Sequence, residues 1–350
     1  MSKYELGALV KPLCSWYEEN KRSMPWREDA TPYHVWISEI MLQQTRIEAV
    51  LGYYARFTAK LPDVKSLAEV PEDELLKLWE GLGYYNRARN LKKAAVQVME
   101  QYGGNLPADY DALKGLAGIG NYTAGAIASI AYGIPAPAVD GNVLRVTMRY
   151  LNCDDDISKM SVRRQMEDSI REVIPAEMPG EFNQALMELG EVICIPNGMP
   201  LCGSCPIREL CGAKKAGRQL MLPVKPEKKE RRIEKKTILI LELQDKIAIR
   251  RRPARGLLAG MWEFPSLDGY RTVPRLKREL SETGLHFGEI VKLPDARHIF
   301  SHVEWQMRGY KVVLEEEPEQ HIVPDIMFVK REQLAREYAL PVAFHAFLQS

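Results

Sequence analysis

The sequence predicts a multidomain protein, with an all-α domain closed by a cysteine-rich loop and a smaller α+β domain behind it. Three observations carry this. Apolar residues recur at three-to-four spacing through residues 1–211, the period of a buried helix face. Four of the six cysteines fall within eighteen residues at the end of that region. Beyond a basic segment the apolar period becomes two, the period of a strand with one buried face.

In chain order, helices are predicted over Val35–Val50, Glu72–Glu80, Arg87–Tyr102, Tyr122–Tyr132, Val143–Leu151, Val162–Val173 and Phe182–Ile193. Their connections carry Pro62, Gly103–Gly104, Pro107 and Pro135. This first domain is placed at 1–213. Residues 214–236 hold ten basic and three acidic side chains with few apolar anchors, and read as a solvated basic linker. The second domain, 237–350, opens with an apparent hairpin, Thr237–Leu243 and Ile247–Arg251. A second hairpin is read at His298–Arg308 with Tyr310–Leu314, and one helix, Val273–Thr283, interrupts the strands.

Composition excludes a disordered or collagen-like chain, since 46% of the 350 residues are hydrophobic and 27% charged. The net charge of +1 does not advertise nucleic acid, so any DNA-binding reading must rest on local features. The charged N-terminus lacks a secretory apolar region. Leu116–Val139 is uncharged and long enough to span a bilayer, yet its four glycines and two prolines read as turn, helix, turn. A soluble intracellular protein is expected.

The cysteines Cys194, Cys202, Cys205 and Cys211 are spaced C-x7-C-x2-C-x5-C. In a chain of this length without an export signal, such thiolates more often share a cation than form disulfides. A four-cysteine zinc site and a [4Fe–4S] cluster are the two candidates. Zinc sites of this type pair two C-x2-C knuckles, and only Cys202/Cys205 forms one here, which favours the cluster.

Gly118-Ile119-Gly120 makes a tight turn between two helices. Glycines leave the backbone N–H groups uncovered before a helix N-terminus, so a phosphate oxygen can sit there; the bland alternative is a helical hairpin that merely needs glycine to turn. Asp140 leads the helix after Val139-Asp140-Gly141-Asn142, where it serves as an N-cap or as a functional carboxylate. Glu39, in WISEIMLQQTR, lies among apolar neighbours. Burial there raises its pKa and keeps it protonated near neutrality, unless it pairs with Arg46. Two carboxylates in different environments, beside a phosphate-gripping hairpin, suggest cleavage of a glycosidic bond in DNA.

LAGIGNYTAGAI, VDGNVLRV and the four terminal cysteines, in that order, resemble the endonuclease III superfamily of DNA glycosylases. PWR (Pro25–Arg27), SEIMLQQTR (Ser38–Arg46), GLGYYNRARNL (Gly81–Leu91) and FNQALMELG (Phe182–Gly190) resemble its MutY family of adenine DNA glycosylases. GLLAGMWEFP (Gly256–Pro265) and Phe300-Ser301-His302 resemble that family's Nudix-like domain. Two departures stand out: Ala117 replaces the proline usual before the hairpin glycines, and the first cysteine gap is x7 where x6 is common.

The resemblance implies an all-α helix-hairpin-helix glycosylase domain with an iron–sulfur cluster loop, a Nudix-like α+β domain, and removal of adenine mispaired with 8-oxoguanine or guanine. It implies Glu39 as general acid and Asp140 as stabiliser of the sugar cation, with Asn142 assisting. Tyr122 stands where bifunctional relatives carry a Schiff-base lysine, which implies a monofunctional enzyme. Arg22, Trp26, Arg27 and Gln184 would line the adenine pocket; Gln44, Leu82 and Tyr84 would enter the duplex; Phe300, Ser301 and His302 would read the oxidised base. Gly118 and Gly120 would hold the DNA backbone, and Cys194, Cys202, Cys205 and Cys211 a [4Fe–4S] cluster. The implied partner is double-stranded DNA carrying the adenine:8-oxoguanine mispair, bound by a monomer without membrane association, in the cytoplasm and on the bacterial nucleoid when on DNA. In the Nudix motif G-x5-E-x7-REUxEExGU, Arg278–Leu285 echoes the second half one residue short, and Tyr270 stands where a metal-binding glutamate is required. A recognition module rather than a hydrolase is expected there.

Overall fold

The computed structural model describes residues 3–227, 230–319 and 325–348, so Lys228 and Lys229 of the basic segment and residues 320–324, 349 and 350 of the second predicted domain lie outside the described residues. Backbone packing divides the chain into two units, Met1–Glu69 with Asn90–Glu227, and Val70–Arg89 with Lys228–Ser350.

The helices are α1 (Gly7–Asn20), α2 (Pro25–Glu28), α3 (Pro32–Leu42), α4 (Ile47–Lys60), α5 (Val64–Glu69), α6 (Glu72–Leu78), α7 (Asn86–Tyr102), α8 (Tyr110–Lys114), α9 (Asn121–Ala126), α10 (Gly141–Leu151), α11 (Met160–Val173), α12 (Pro179–Val192) and α13 (Gly212–Lys215). Apart from α6 and the start of α7, they make up the first unit. Leu9 and Leu13 of α1, Val143 of α10, Met166 of α11 and Phe182 and Leu189 of α12 share one apolar core. The predicted helix Val35–Val50 is two helices. Gln44 takes a left-handed φ of 59° between them, and the apolar spacing hides the break because Ile47 and Val50 resume burial at once. The predicted helix Tyr122–Tyr132 starts as α9 and widens to a π turn over Ile127–Ala131. None of the described helices is long and apolar enough to cross a membrane.

The second unit carries eight strands among the described residues, in one mixed sheet: β1 (Arg232–Leu243), β2 (Lys246–Arg251), β3 (Trp262–Glu263), β4 (Ser266–Asp268), β5 (Phe287–Lys292), β6 (Ala296–Ile299), β7 (Val303–Leu314) and β8 (Ile326–Lys330). The main path runs β3-β2-β1-β7-β5, with β4 on β1, β6 on β7 and β8 on β2. β1 and β7 pair in parallel from Arg232↔Val303 to Glu242↔Val313. Their inner residues are buried on both faces, Ile238 and Ile240 toward Trp305 and Phe344, Leu239 and Leu241 toward Leu276 and Leu280 of α14 (Val273–Glu282). α15 (Arg331–Glu337) follows β8.

Three expectations are revised. The second hairpin is β6 with the unbroken β7, its turn being Phe300-Ser301-His302, where Phe300 N donates to Val303 O at 2.8 Å. The linker is not solvated throughout. Leu222 is buried, Arg149 Nε donates to its carbonyl at 2.9 Å, and Ile157 N donates to Val224 O at 3.1 Å, so 214–224 packs on the helical unit and β1 begins at Arg232. Finally, residues 70–89 belong with the sheet. Asp73 receives Arg251 Nη2 at 2.5 and 2.6 Å, Lys77 Nζ donates to Tyr338 O at 3.1 Å, and Glu80 accepts Leu340 N at 2.8 Å.

Candidate active site and cysteine loop

A cleft in the helical unit collects Arg22, Trp26, Arg27, Glu39, Gln44, Tyr122, Asp140, Asn142 and Gln184. These nine come from segments far apart in sequence. Glu39 projects from α3, a helix started by Thr31, whose side chain accepts His34 N, and by Pro32. Its carboxylate is buried and accepts a short hydrogen bond from the Tyr122 hydroxyl of α9; that phenol, rather than Arg46, is the partner the structure shows. Burial raises the Glu39 pKa to about 7, the Tyr122 bond lowers it, the nearby Asp140 charge raises it and Arg27 lowers it. The Tyr122 hydroxyl is pushed well above its usual value by burial and by the charges of Glu39 and Asp140.

Asp140 caps α10. Oδ1 accepts Val143 N at 2.8 Å and Oδ2 accepts Asn142 Nδ2 at 2.9 Å. Burial pushes its pKa up, while these donors and the Arg145 charge pull it down. Burial wins and leaves the Asp140 carboxyl above its ordinary value, although Asp140 is met by several donors where Glu39 is met by one phenol. Asn183 positions the segment leading into Asp140, accepting Ala138 N at 3.1 Å and donating to Ala136 O at 2.8 Å. Gly190 lets α12 close on this corner, since a Cβ there would lie 2.7 Å from the Asn142 Cβ. Arg145 ties the corner down further, donating to Asn142 Oδ1 at 2.8 Å, Gly190 O at 2.6 Å and Cys194 O at 2.7 Å.

Sequence reasoning missed Glu188. It is 1% exposed and joins the two pocket arginines: Arg22 Nε donates to it at 2.5 Å and Arg27 Nη2 at 2.8 Å. Burial acts to raise its pKa, but the two guanidinium groups hold it below the ordinary glutamate value. The signal was an acid on the apolar face of α12, between the buried Ala185 and Leu189.

Cys194, Cys202, Cys205 and Cys211 line one cavity with Arg149, whose Nη1 lies 3.3 Å from Cys194 Sγ. Burial pushes the Cys205 thiol up to about 12. Among the described residues no three ligating side chains converge on a point for a single ion.

Leu82, Tyr84, Phe300, Ser301 and His302 belong to the second unit. Tyr84 is 49% exposed with a left-handed φ of 47°, and its hydroxyl lies 2.7 Å from Ser301 Oγ. Gln44, in the other unit, is also exposed and left-handed; both depart from ordinary backbone conformation, as residues with a task often do. Leu82 is only 7% exposed, and Tyr85 is buried as well, so Leu82 offers little surface to a duplex as it stands. Phe300 packs on Trp305 with ring centroids 5.0 Å apart, leaving Ser301 and His302 exposed at the turn. In the Nudix-like region Glu279 is held by Arg271 at 2.6 Å and Arg275 at 2.7 Å.

The family models that match are the HhH-GPD superfamily base excision DNA repair protein over residues 37–172 and the NUDIX domain over residues 237–350. The helical unit resembles the solved structures of a thermostable thymine-DNA glycosylase (TM-score 0.55, 29% identity, 60% of this chain and 96% of that one) and of a non-covalent endonuclease III–DNA complex (TM-score 0.51, 26% identity, 60% and 95%). A helical hairpin fold with one buried and one partly buried carboxylate in its cleft thus defines a DNA glycosylase of base excision repair. Adenine DNA glycosylase of Homo sapiens is 34% identical over 94% of this chain and 71% of its own length, and that of Buchnera aphidicola subsp. Schizaphis graminum is 33% identical over 79% and 80%. The chain belongs to the adenine DNA glycosylase family.

Proposed function

We propose that the protein is a monofunctional glycosylase that hydrolyses the N-glycosidic bond of adenine mispaired with 8-oxoguanine, or with guanine, in duplex DNA. The observation that carries this is the pairing in one cleft of Glu39, bonded to a phenol, with Asp140, capped by amides. With a pKa of about 7, a useful fraction of Glu39 is protonated at neutral pH and can give its proton to N7 of an extruded adenine. As the bond to C1′ breaks, the sugar gains positive charge, which an ionised Asp140 stabilises. Asn142 holds the Asp140 carboxylate in place. Tyr122 orients Glu39 and, as a phenol, forms no imine with the sugar, so strand cleavage by that route is absent. Arg22, Trp26, Arg27 and Gln184 form the base pocket. Gly118 and Gly120 receive the DNA backbone at the hairpin. Gln44 and Tyr84 enter the duplex, and Phe300, Ser301 and His302 face the oxidised base, whose N7–H needs an acceptor such as a hydroxyl.

The four cysteines would hold a [4Fe–4S] cluster, which supplies structural closure of residues 194–211. Incubation with duplexes carrying adenine opposite 8-oxoguanine, adenine opposite guanine, and thymine glycol tests the reading. Abasic product from the first two, breaking only after alkali, is expected. Efficient strand scission without alkali, or a borohydride-trapped adduct, overturns it.

A further inference from the structure

The hairpin turn contains an alanine whose amide is held by a side chain from a distant helix. Leu116, Ala117, Gly118 and Ile119 form a β-turn closed by Ile119 N donating to Leu116 O at 3.1 Å, with Gly118 at a φ of 76°. Those are the features of a type II turn, in which Ala117 occupies the position proline favours. Proline there fixes φ and brings no N–H. Alanine leaves φ free and adds a donor that must find a partner. Here it does: Ala117 N donates to Gln97 Oε1 of α7 at 2.8 Å. Two helical turns earlier on the same face of α7, Asn90 sits against the turn so closely that a Cβ on Gly118 would lie 2.6 Å from the Asn90 Cβ. The far side is open, with nothing within 4 Å of a Cβ built on Gly120.

We propose that Gln97 is a positioning residue for the DNA-gripping turn, supplying through one hydrogen bond the constraint that proline would supply through its ring. With Ala117 N–H turned inward to Gln97, the glycine side of the turn stays outward for a phosphate. The inference rests on the reading that this hairpin holds the DNA backbone.

The test is a double-mutant cycle of Gln97→Met, which keeps the length of the side chain and removes the acceptor, with Ala117→Pro, read as Kd for an undamaged duplex by fluorescence anisotropy at fixed salt. Gln97→Met alone should weaken binding about fivefold, the scale of one hydrogen bond. Ala117→Pro alone should bind at least as tightly as the parent protein, and adding Gln97→Met to it should change binding less than twofold. Single-turnover excision at saturating protein should fall less than affinity does on Gln97→Met, because Glu39 and Asp140 are untouched; a defect of the whole helical unit would lower both together. Equal weakening by Gln97→Met in both backgrounds, or none in either, overturns the role of Gln97. Failure of the parent protein to bind duplex DNA would instead sink the proposed function itself. Should Gln97→Met fold poorly alone, the comparison of Ala117→Pro with the double variant still decides.

Discussion

Tyr84 Oη and Ser301 Oγ lie 2.7 Å apart although 217 residues separate them. Tyr84 sits in a segment that Asp73 and Glu80 hold against the sheet unit, and Ser301 lies in the turn between β6 and β7. One exposed hydroxyl pair thus joins a residue proposed to enter the duplex with one proposed to face the oxidised base. Ser301→Ala and Tyr84→Phe should each lower the preference for 8-oxoguanine over guanine opposite adenine, by no more than about 1–3 kcal/mol. Their combination should cost less than the sum, because the two share one contact. Replacing Phe300, Ser301 and His302 together by alanine should erode the preference further while excision persists. Undiminished discrimination by the triple variant, in binding and in rate, would show that recognition lies elsewhere.

Glu39→Gln keeps the shape of the side chain but cannot donate the proton. Excision should fall by about 10²–10⁴-fold while duplex affinity is retained. Single-turnover rates and Kd measured side by side check this, and near-normal excision would remove Glu39 from the chemistry.

The pH dependence has a defined sign. The acid form of Glu39 is the active one, so single-turnover excision should decline as pH rises through about 7. Stability follows the same proton. Burial raises the folded-state pKa above the ordinary value of 4.5, so the folded state binds more protons than the unfolded chain between pH 4.5 and about 7. The neutral form is fully favoured below that window, and stability is lost as pH rises through it. Glu39→Gln, always neutral, should therefore melt higher than the parent protein at pH 8, by up to about 3 kcal/mol, with the gap closing by pH 4.5. A gap independent of pH would contradict the assignment.

Glu188 holds Arg22 and Arg27 at the pocket wall. Glu188→Gln should weaken both pairings and cost about 1–3 kcal/mol of stability. Because the arginines are proposed to contact the base, KM for excision should rise more than kcat falls. Steady-state kinetics with a calorimetric melt separate the two effects.

The purified protein should be yellow-brown with about four irons per chain. Cys205→Ser should lose iron and lower the melting temperature. A colourless, fully active protein containing one zinc would assign the loop differently.

Much of this was legible in the sequence because it depends on local order. The three-to-four spacing names the helices, and the period of two names the strands. The apolar neighbours of Glu39 foretold a raised pKa, since burial of that helix follows from its own pattern. What tertiary structure decided is non-local. Tyr122 reaches Glu39 from 83 positions away, and Glu188 binds arginines more than 160 residues distant. Leu82 turned inward while Tyr84 turned out, although both lie in one short motif. Residues 70–89 joined the sheet unit through Asp73, Lys77 and Glu80, and Leu222 drew part of a basic segment onto the helices. Periodicity states that a face must be buried; it does not state against which partner, because that choice depends on which distant surfaces can satisfy the apolar area and the polar groups together.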